Sequence, residues 1–225
     1  MENIMQKLFS LKDEKYKEFH SGLCPNTNNI IGVRIPDLRA IAKEIARQKP
    51  EEFLKQIDTT YYETTMLYGM VIGYMKENLE KRQKYLDIFV PKIDNWAICD
   101  CCTATYKFTN DNLKQMWEYI QKYLHSNQEF EVRFGVIMLL DYYLKEEYIN
   151  QVLEEINHIK QEGYYVKMGI AWLISVAFVK YEEKTREFLR NNTLDDFTYN
   201  KALQKIIESN RVEKSVKDEI RQIKR

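Results

Sequence analysis

Apolar residues recur at three- and four-residue spacing along almost the whole chain, and the pattern itself repeats about every 34 residues. That spacing reads as successive amphipathic helices near residues 2–19, 36–48, 51–57, 61–76, 79–92, 95–108, 112–125, 129–144, 146–160, 164–181, 183–191, 196–209 and 213–224. The breaks have chemical causes. Asn110–Asn112, Ser126-Asn127, Gly163, Asn191-Asn192 and Ser209-Asn210 supply capping and turn residues, and Pro36, Pro50 and Pro91 stand where a helix begins or nearly ends. Long apolar helices beginning near Tyr61, Asn95, Glu129, Tyr164 and Asp196 alternate with more strongly charged ones at 79–92, 112–125, 146–160 and 183–191. This alternation predicts an all-α fold, an α-solenoid of HEAT/armadillo-like helix-pair repeats whose inner helices form a curved groove. No stretch rich in Gly, Ser or Pro divides the chain, so residues 1–225 are expected to form a single domain.

Composition removes several classes. Among 225 residues there are only 7 Gly and 4 Pro, which excludes collagen-like and low-complexity chains. Lys+Arg 34 balance Asp+Glu 34, so any affinity for a polyanion must come from local patches. The longest apolar run, Met168–Val179, is shorter than a membrane span and contains Trp172 and Ser175, so no membrane partner is expected. Met1-Glu-Asn-Ile-Met-Gln-Lys has neither the basic nor the apolar region of an export signal, and the expected compartment is the cytoplasm. Cys24, Cys99, Cys101 and Cys102 then read as free thiols, and the C-x-C-C cluster lacks the His or second Cys pair that a zinc site needs, so no metal is expected. His20, His125 and His158 fall near the ends of different helices, and phosphate-loop, dinucleotide, zinc-peptidase and hydrolase motifs are absent.

The repeat aligns particular charges. Arg133 follows Asp100 by 33 positions, Lys167 follows by a further 34 and Lys201 by 34 more, so each inner helix presents one charge at nearly the same register. They read either as ordinary helix-flank charges or as a row lining one face. Asp100 and Arg133 lie in otherwise apolar stretches, where a charge must be paired or face a cleft. Trp96 precedes Asp100 by one helical turn, which sets an indole wall beside a carboxylate. Such a pair suits a cationic ligand or a reaction that develops positive charge; it is equally compatible with a core Trp and a structural Asp100–Arg133 pair. Trp172 reads as packing or as a second indole framing the same site, with Lys167 at its rim. From Lys201 to Arg225 eight Lys/Arg face four Asp/Glu, and Arg34, Arg39, Lys43 and Arg47 form a second basic segment that could grip a polyanion.

Gly32-Val-Arg-Ile-Pro-Asp-Leu-Arg39 resembles the G-[VI]-x-x-P-[DE]-x-R segment of the AlkD-like DNA alkylation repair family, the HEAT-like-repeat alkylpurine DNA glycosylases. Asn95-Trp-Ala-Ile-Cys-Asp100 is similar to the family's W-x-x-x-D segment, Val132-Arg-Phe-Gly-Val-Ile-Met-Leu-Leu to its inner-groove Arg segment, and Val166-Lys-Met-Gly-Ile-Ala-Trp-Leu to its later Trp helix. The resemblance implies hydrolysis of the N-glycosidic bond of positively charged alkylated purines, N7-methylguanine or N3-methyladenine, in double-stranded DNA by a monomer with no cofactor or metal. Asp100 would stabilise the oxocarbenium-like sugar and position water. Trp96 and Trp172 would pack on the deoxyribose and backbone, and Arg133 would contact phosphate or support the site. Lys167, Lys201, Arg34 and Arg39 complete the expected DNA-binding set. The Trp helix continues Leu-Ile-Ser-Val-Ala-Phe where active relatives carry basic residues. That departure keeps a second reading in view, a HEAT-like scaffold that binds DNA structures or a protein without catalysis.

Overall fold

The apolar and charged stretches alternate in space as they do in sequence. The computed structural model describes residues 2–25 and 27–225, and its regular structure among those residues is entirely helical, with no strand. Two compact units divide the chain, Met1–Asn112 and Leu113–Arg225.

The first unit holds α1 (Glu2–Ser10), α2 (Glu14–Leu23), α3 (Ile35–Gln48), α4 (Pro50–Gln56), α5 (Tyr62–Tyr74), α6 (Leu79–Phe89) and α7 (Trp96–Thr103). Helix α5 packs against α3 on one side and α7 on the other, with α4 and α6 also against it. Its apolar composition follows from that position: every residue from Tyr62 to Ile72 is buried. Met66, Leu67, Met70, Val71 and Ile72 are wholly buried, each worth roughly 1.5–3 kcal/mol of apolar burial. Close approach of the layers depends on Gly69, where a Cβ would lie 2.4 Å from the Phe89 ring and 2.5 Å from the Cys102 sulfur.

The second unit holds α8 (Leu113–Leu124), α9 (Glu129–Tyr142), α10 (Ile149–His158), α11 (Tyr164–Lys180), α12 (Glu182–Arg190), α13 (Asp196–Glu208) and α14 (Lys214–Gln222). Here α11 packs between α9 and α13, α8 covers α9, α12 lies against α10 and α11, and α14 closes on α13. The inner helices α9 and α11 are buried on most faces, whereas α12 buries only Thr185 and Leu189. The chain is therefore an α-solenoid of helix pairs, as the 34-residue alternation predicts.

Helix boundaries are set by side-chain caps. Asp13, Asn78, Asn95 and Asp195 accept from the backbone N–H three residues on, at 3.0, 2.9, 2.9 and 3.2 Å. Asp13 splits one expected element: the helix expected over 2–19 is two helices, because this carboxylate starts α2 after a turn at Leu11–Lys12. The helix expected over 95–108 stops at Thr103, since the Thr105 hydroxyl and N–H both turn back to the Cys102 carbonyl, at 2.6 and 2.9 Å. A separate 3-10 turn follows at Lys107–Asp111. Pro91 likewise ends α6 early and leaves a 3-10 turn at Val90–Lys92.

Candidate active site

In the first unit, Trp96 and Asp100 share one face of α7, both half-buried. The Trp96 indole Nε1 donates to the Leu23 carbonyl at 3.0 Å, which ties the ring to the C-terminal end of α2. Helix α2 is itself wedged in place. His20, buried, stacks on Tyr16 at 5.5 Å between ring centroids and meets Tyr62 of α5 at 4.9 Å, and its Nε2 lies 3.7 Å from the Cys24 sulfur. Burial holds the His20 pKa below its ordinary value, with the Glu63 carboxylate pulling the other way.

The thiols beside Asp100 are poor nucleophiles. Burial pushes Cys101 up to about 11, and there the Asp100 charge adds to the rise while Arg39 opposes it. Cys24 is also raised to about 11 by burial, and Cys102, wholly buried, lies well above its ordinary value. None of the four cysteines is in a disulfide, and thiols raised as far as Cys24, Cys101 and Cys102 act as packing material. Asp100 stands beside them as a half-buried carboxylate on the Trp96 face of α7.

The loop before α3 is held by a residue that sequence reading passed over. Glu63, fully buried on α5, accepts from the backbone N–H groups of Ile31, Gly32 and Val33 at 2.9, 2.7 and 3.2 Å. Gly32 has φ 105°, and a Cβ there would meet the Asp13 carbonyl and Lys17 at 2.8 Å, so only glycine fits. Arg34, next in the loop, is engaged: its Nη2 and Nε donate to Asp13 at 2.7 and 3.0 Å, and its guanidinium lies 5.2 Å from the Tyr16 ring centroid. Arg39 is exposed on α3.

In the second unit the charge row occupies neighbouring inner helices, Arg133 on α9, Lys167 on α11 and Lys201 on α13. Arg133 is only 5% exposed and donates from Nη1 to the Tyr165 carbonyl at 2.6 Å. Glu129 accepts from the Tyr165 N–H at 2.6 Å, so α9 grips the first turn of α11 through both backbone groups of one residue. Lys167 is paired with Glu162 at 2.5 Å and Asp195 at 3.4 Å, and the Glu162 bond raises its pKa. Lys201 reaches Gln204 Oε1 at 3.0 Å and lies 5.9 Å from the Phe197 ring centroid. Trp172 is 37% exposed on α11. Arg133 and Lys167 are committed to neighbours, whereas Lys201 and Trp172 meet solvent.

Among the described residues no group of three or more His, Cys, Asp or Glu is placed to hold a metal ion, and no helix is long and apolar enough to cross a membrane. Comparison with curated proteins and with solved structures finds no match. The family model described as DNA alkylation repair enzyme matches residues 4–206, which takes in the Gly32 loop, the Trp96–Asp100 turn and the Arg133–Lys167–Lys201 row. A stacked helix-pair fold, a carboxylate set beside a fixed indole, and a family match over that span lead to one statement: the chain belongs to the DNA alkylation repair enzyme family.

Proposed function

We propose that this member of the family is a DNA glycosylase that hydrolyses the N-glycosidic bond of positively charged alkylated purines, N7-methylguanine and N3-methyladenine, in double-stranded DNA. The observation that carries the reading is the Trp96–Asp100 pair: a half-buried carboxylate one turn from an indole fixed by a backbone hydrogen bond. A cationic purine is a good leaving group, and its departure leaves positive charge on the sugar. Asp100 stabilises that charge and orients the water that attacks the anomeric carbon, in surroundings less polar than water, where a fixed charge acts more strongly. Trp96 and Trp172 pack on deoxyribose and backbone. Arg39 and Lys201 take phosphate contacts. Arg34 and Lys167 do so through their remaining donors, and Arg133 acts by holding the first turn of α11. Residues 1–225 work as one repair domain, a cytoplasmic monomer without cofactor or metal.

A binding scaffold without catalysis is the second reading, favoured by the commitment of Arg34 and Lys167 to carboxylates. Release of labelled 7-methylguanine from methylated duplex DNA at low salt separates the two. Wild type is expected to release the base, and Asp100→Asn to lose about 100-fold or more in rate, the size of effect seen when one electrostatic stabiliser is removed, while keeping its melting temperature and DNA affinity. Release that survives Asp100→Asn overturns the assignment of the carboxylate. DNA binding without release by wild type moves the conclusion to the scaffold.

A further inference from the structure

Beyond Arg39, the cations of α3 continue with Lys43 and Arg47, which have no part in the proposed chemistry. Arg39, Lys43 and Arg47 stand at i, i+4 and i+8, on one face of the helix with about 6 Å of rise between successive residues, and all three are exposed. Like charges at this spacing destabilise a helix. The nearby carboxylates do not relieve them: Glu44 is held by Lys7 at 2.8 Å and Glu77 by Lys81 at 3.2 Å. Among the described residues no carboxylate lies within 4.0 Å of Arg39, Lys43, Arg47 or Lys76. Across from α3, the end of α5 supplies Tyr74, whose ring centroid is 5.3 Å from Lys43 Nζ, and Lys76 follows it. Lys43, Arg47, Tyr74, Pro50 and Lys76 line a cleft of about 490 Å³ together with one carboxylate, Glu77, the one held by Lys81.

A chain with no net charge that gathers unneutralised cations along two helical turns and around an open cleft has built a local anion surface. The linear arrangement, one cation per turn, fits a backbone carrying successive phosphates better than a single small anion. Arg39, at one end of the row, is near enough to α7 for its charge to act on the Cys101 thiol.

We propose that the α3–α5 cleft is a subsite for the phosphate backbone of DNA flanking the damaged nucleotide, with Lys43, Arg47 and Lys76 as its contacts and Tyr74 as the wall that supports Lys43. The proposal rests on the reading that this protein acts on DNA, and extends it to the flank. The subsite fixes register along the strand, and it reads charge, not sequence.

The test is binding to an undamaged fluorescent duplex between about 50 and 200 mM salt, with wild type and the triple variant Lys43→Ala/Arg47→Ala/Lys76→Ala. At about 0.9 per phosphate contact, the slope of log affinity against log salt is expected to become shallower by about 2.7. A control removing three cations that have carboxylate partners, Lys49→Ala/Lys55→Ala/Lys84→Ala, is expected to keep the wild-type slope, and Lys43→Arg/Arg47→Lys to keep it too. Melting temperatures of all variants establish that they are folded. Binding by wild type with a slope that the triple variant retains overturns the subsite. Absence of DNA binding by wild type at low salt overturns the subsite and the DNA reading together. A reduced slope with no 7-methylguanine release by wild type leaves the subsite standing and removes the glycosylase assignment alone. Equal capture of poly-glutamate, with the same sensitivity to the triple variant, overturns DNA as the occupant in favour of an acidic polypeptide.

Discussion

A single buried carboxylate illustrates how this protein makes local structure from distant residues. Glu63 satisfies three consecutive backbone donors in the loop that carries the Gly32–Arg39 motif. In Glu63→Gln the charge is lost and at least one donor faces an amide N–H₂, so unfolding free energy should fall by about 2–3 kcal/mol. Chemical denaturation checks this through a lower midpoint at unchanged slope; a midpoint within error of wild type would show that the loop finds other partners. Neither Glu63 nor the Arg34–Asp13 pair could be read from periodicity, because helical spacing reports only neighbours three or four residues away. The partners here are 30–32 and 21 residues away. A signal was nevertheless present. Bonds between residues about one repeat apart recur throughout, including Tyr143 to Leu113 at 2.7 Å, Gln161 to Asn127 at 3.2 Å and Thr193 to Asn157 at 2.8 Å. Looking for a carboxylate at the start of an inner helix, one repeat from a glycine-containing loop, would have found both Glu63 and Glu129.

At the scale of elements, the helices were legible and their joints were not. Alternation of apolar and charged helices follows from burial, which composition records directly. The break at Asp13 and the early end of α7 depend on one hydroxyl or carboxylate choosing a backbone partner, which composition does not record. Two joints carry predictions. Gly69→Ala places a methyl against Phe89 and Cys102 where α5, α6 and α7 meet, and overpacking there should cost about 1–3 kcal/mol, measured as a drop in thermal midpoint. The docking of α2 should depend on pH. His20 faces Tyr16 on its own helix, Cys24 just past its end, and Tyr62 and Glu63 on α5; burial raises the pKa of both tyrosines and of the thiol, and the Glu63 carboxylate opposes the effect of burial on the imidazole. Because folding lowers the His20 pKa, its contribution is complete above its unfolded value of about 6.5 and is lost as pH falls through the lower folded value. Melting between pH 8 and 5 should therefore show an acid-side loss of stability that shrinks in His20→Phe. An unchanged acid limb would place the titrating group elsewhere.

The whole molecule combines a fold that the sequence expresses many times with a candidate site that it expresses once. Each helix pair repeats the same burial pattern, so an error in one boundary leaves the solenoid intact. Trp96, Asp100 and the α3 cations are single residues whose meaning depends on what each side chain touches. Arg133, Lys167 and Lys201 share a register, yet burial and carboxylate partners distinguish them, and those are tertiary facts. The solenoid's energetics follow from the same repetition. Stability is carried mainly by contacts between adjacent helices, so a helix with packed neighbours on two sides is held more firmly than one at a margin. Helix α5 lies between α3 and α7, and α11 between α9 and α13, whereas α14 packs chiefly on α13 and buries only Ile220. Native-state amide exchange should accordingly show α5, α9 and α11 as the slowest segments and α14 opening at least tenfold faster, a difference of about 1.4 kcal/mol or more in local opening. Arg225 works against fraying: its guanidinium lies 3.9 Å from the Tyr199 ring centroid and donates to the Leu194 carbonyl at 3.0 Å. Arg225→Ala should therefore speed exchange in α14 and leave α5 unchanged, and equal acceleration in both helices would show that the chain opens as one cooperative unit instead of pair by pair.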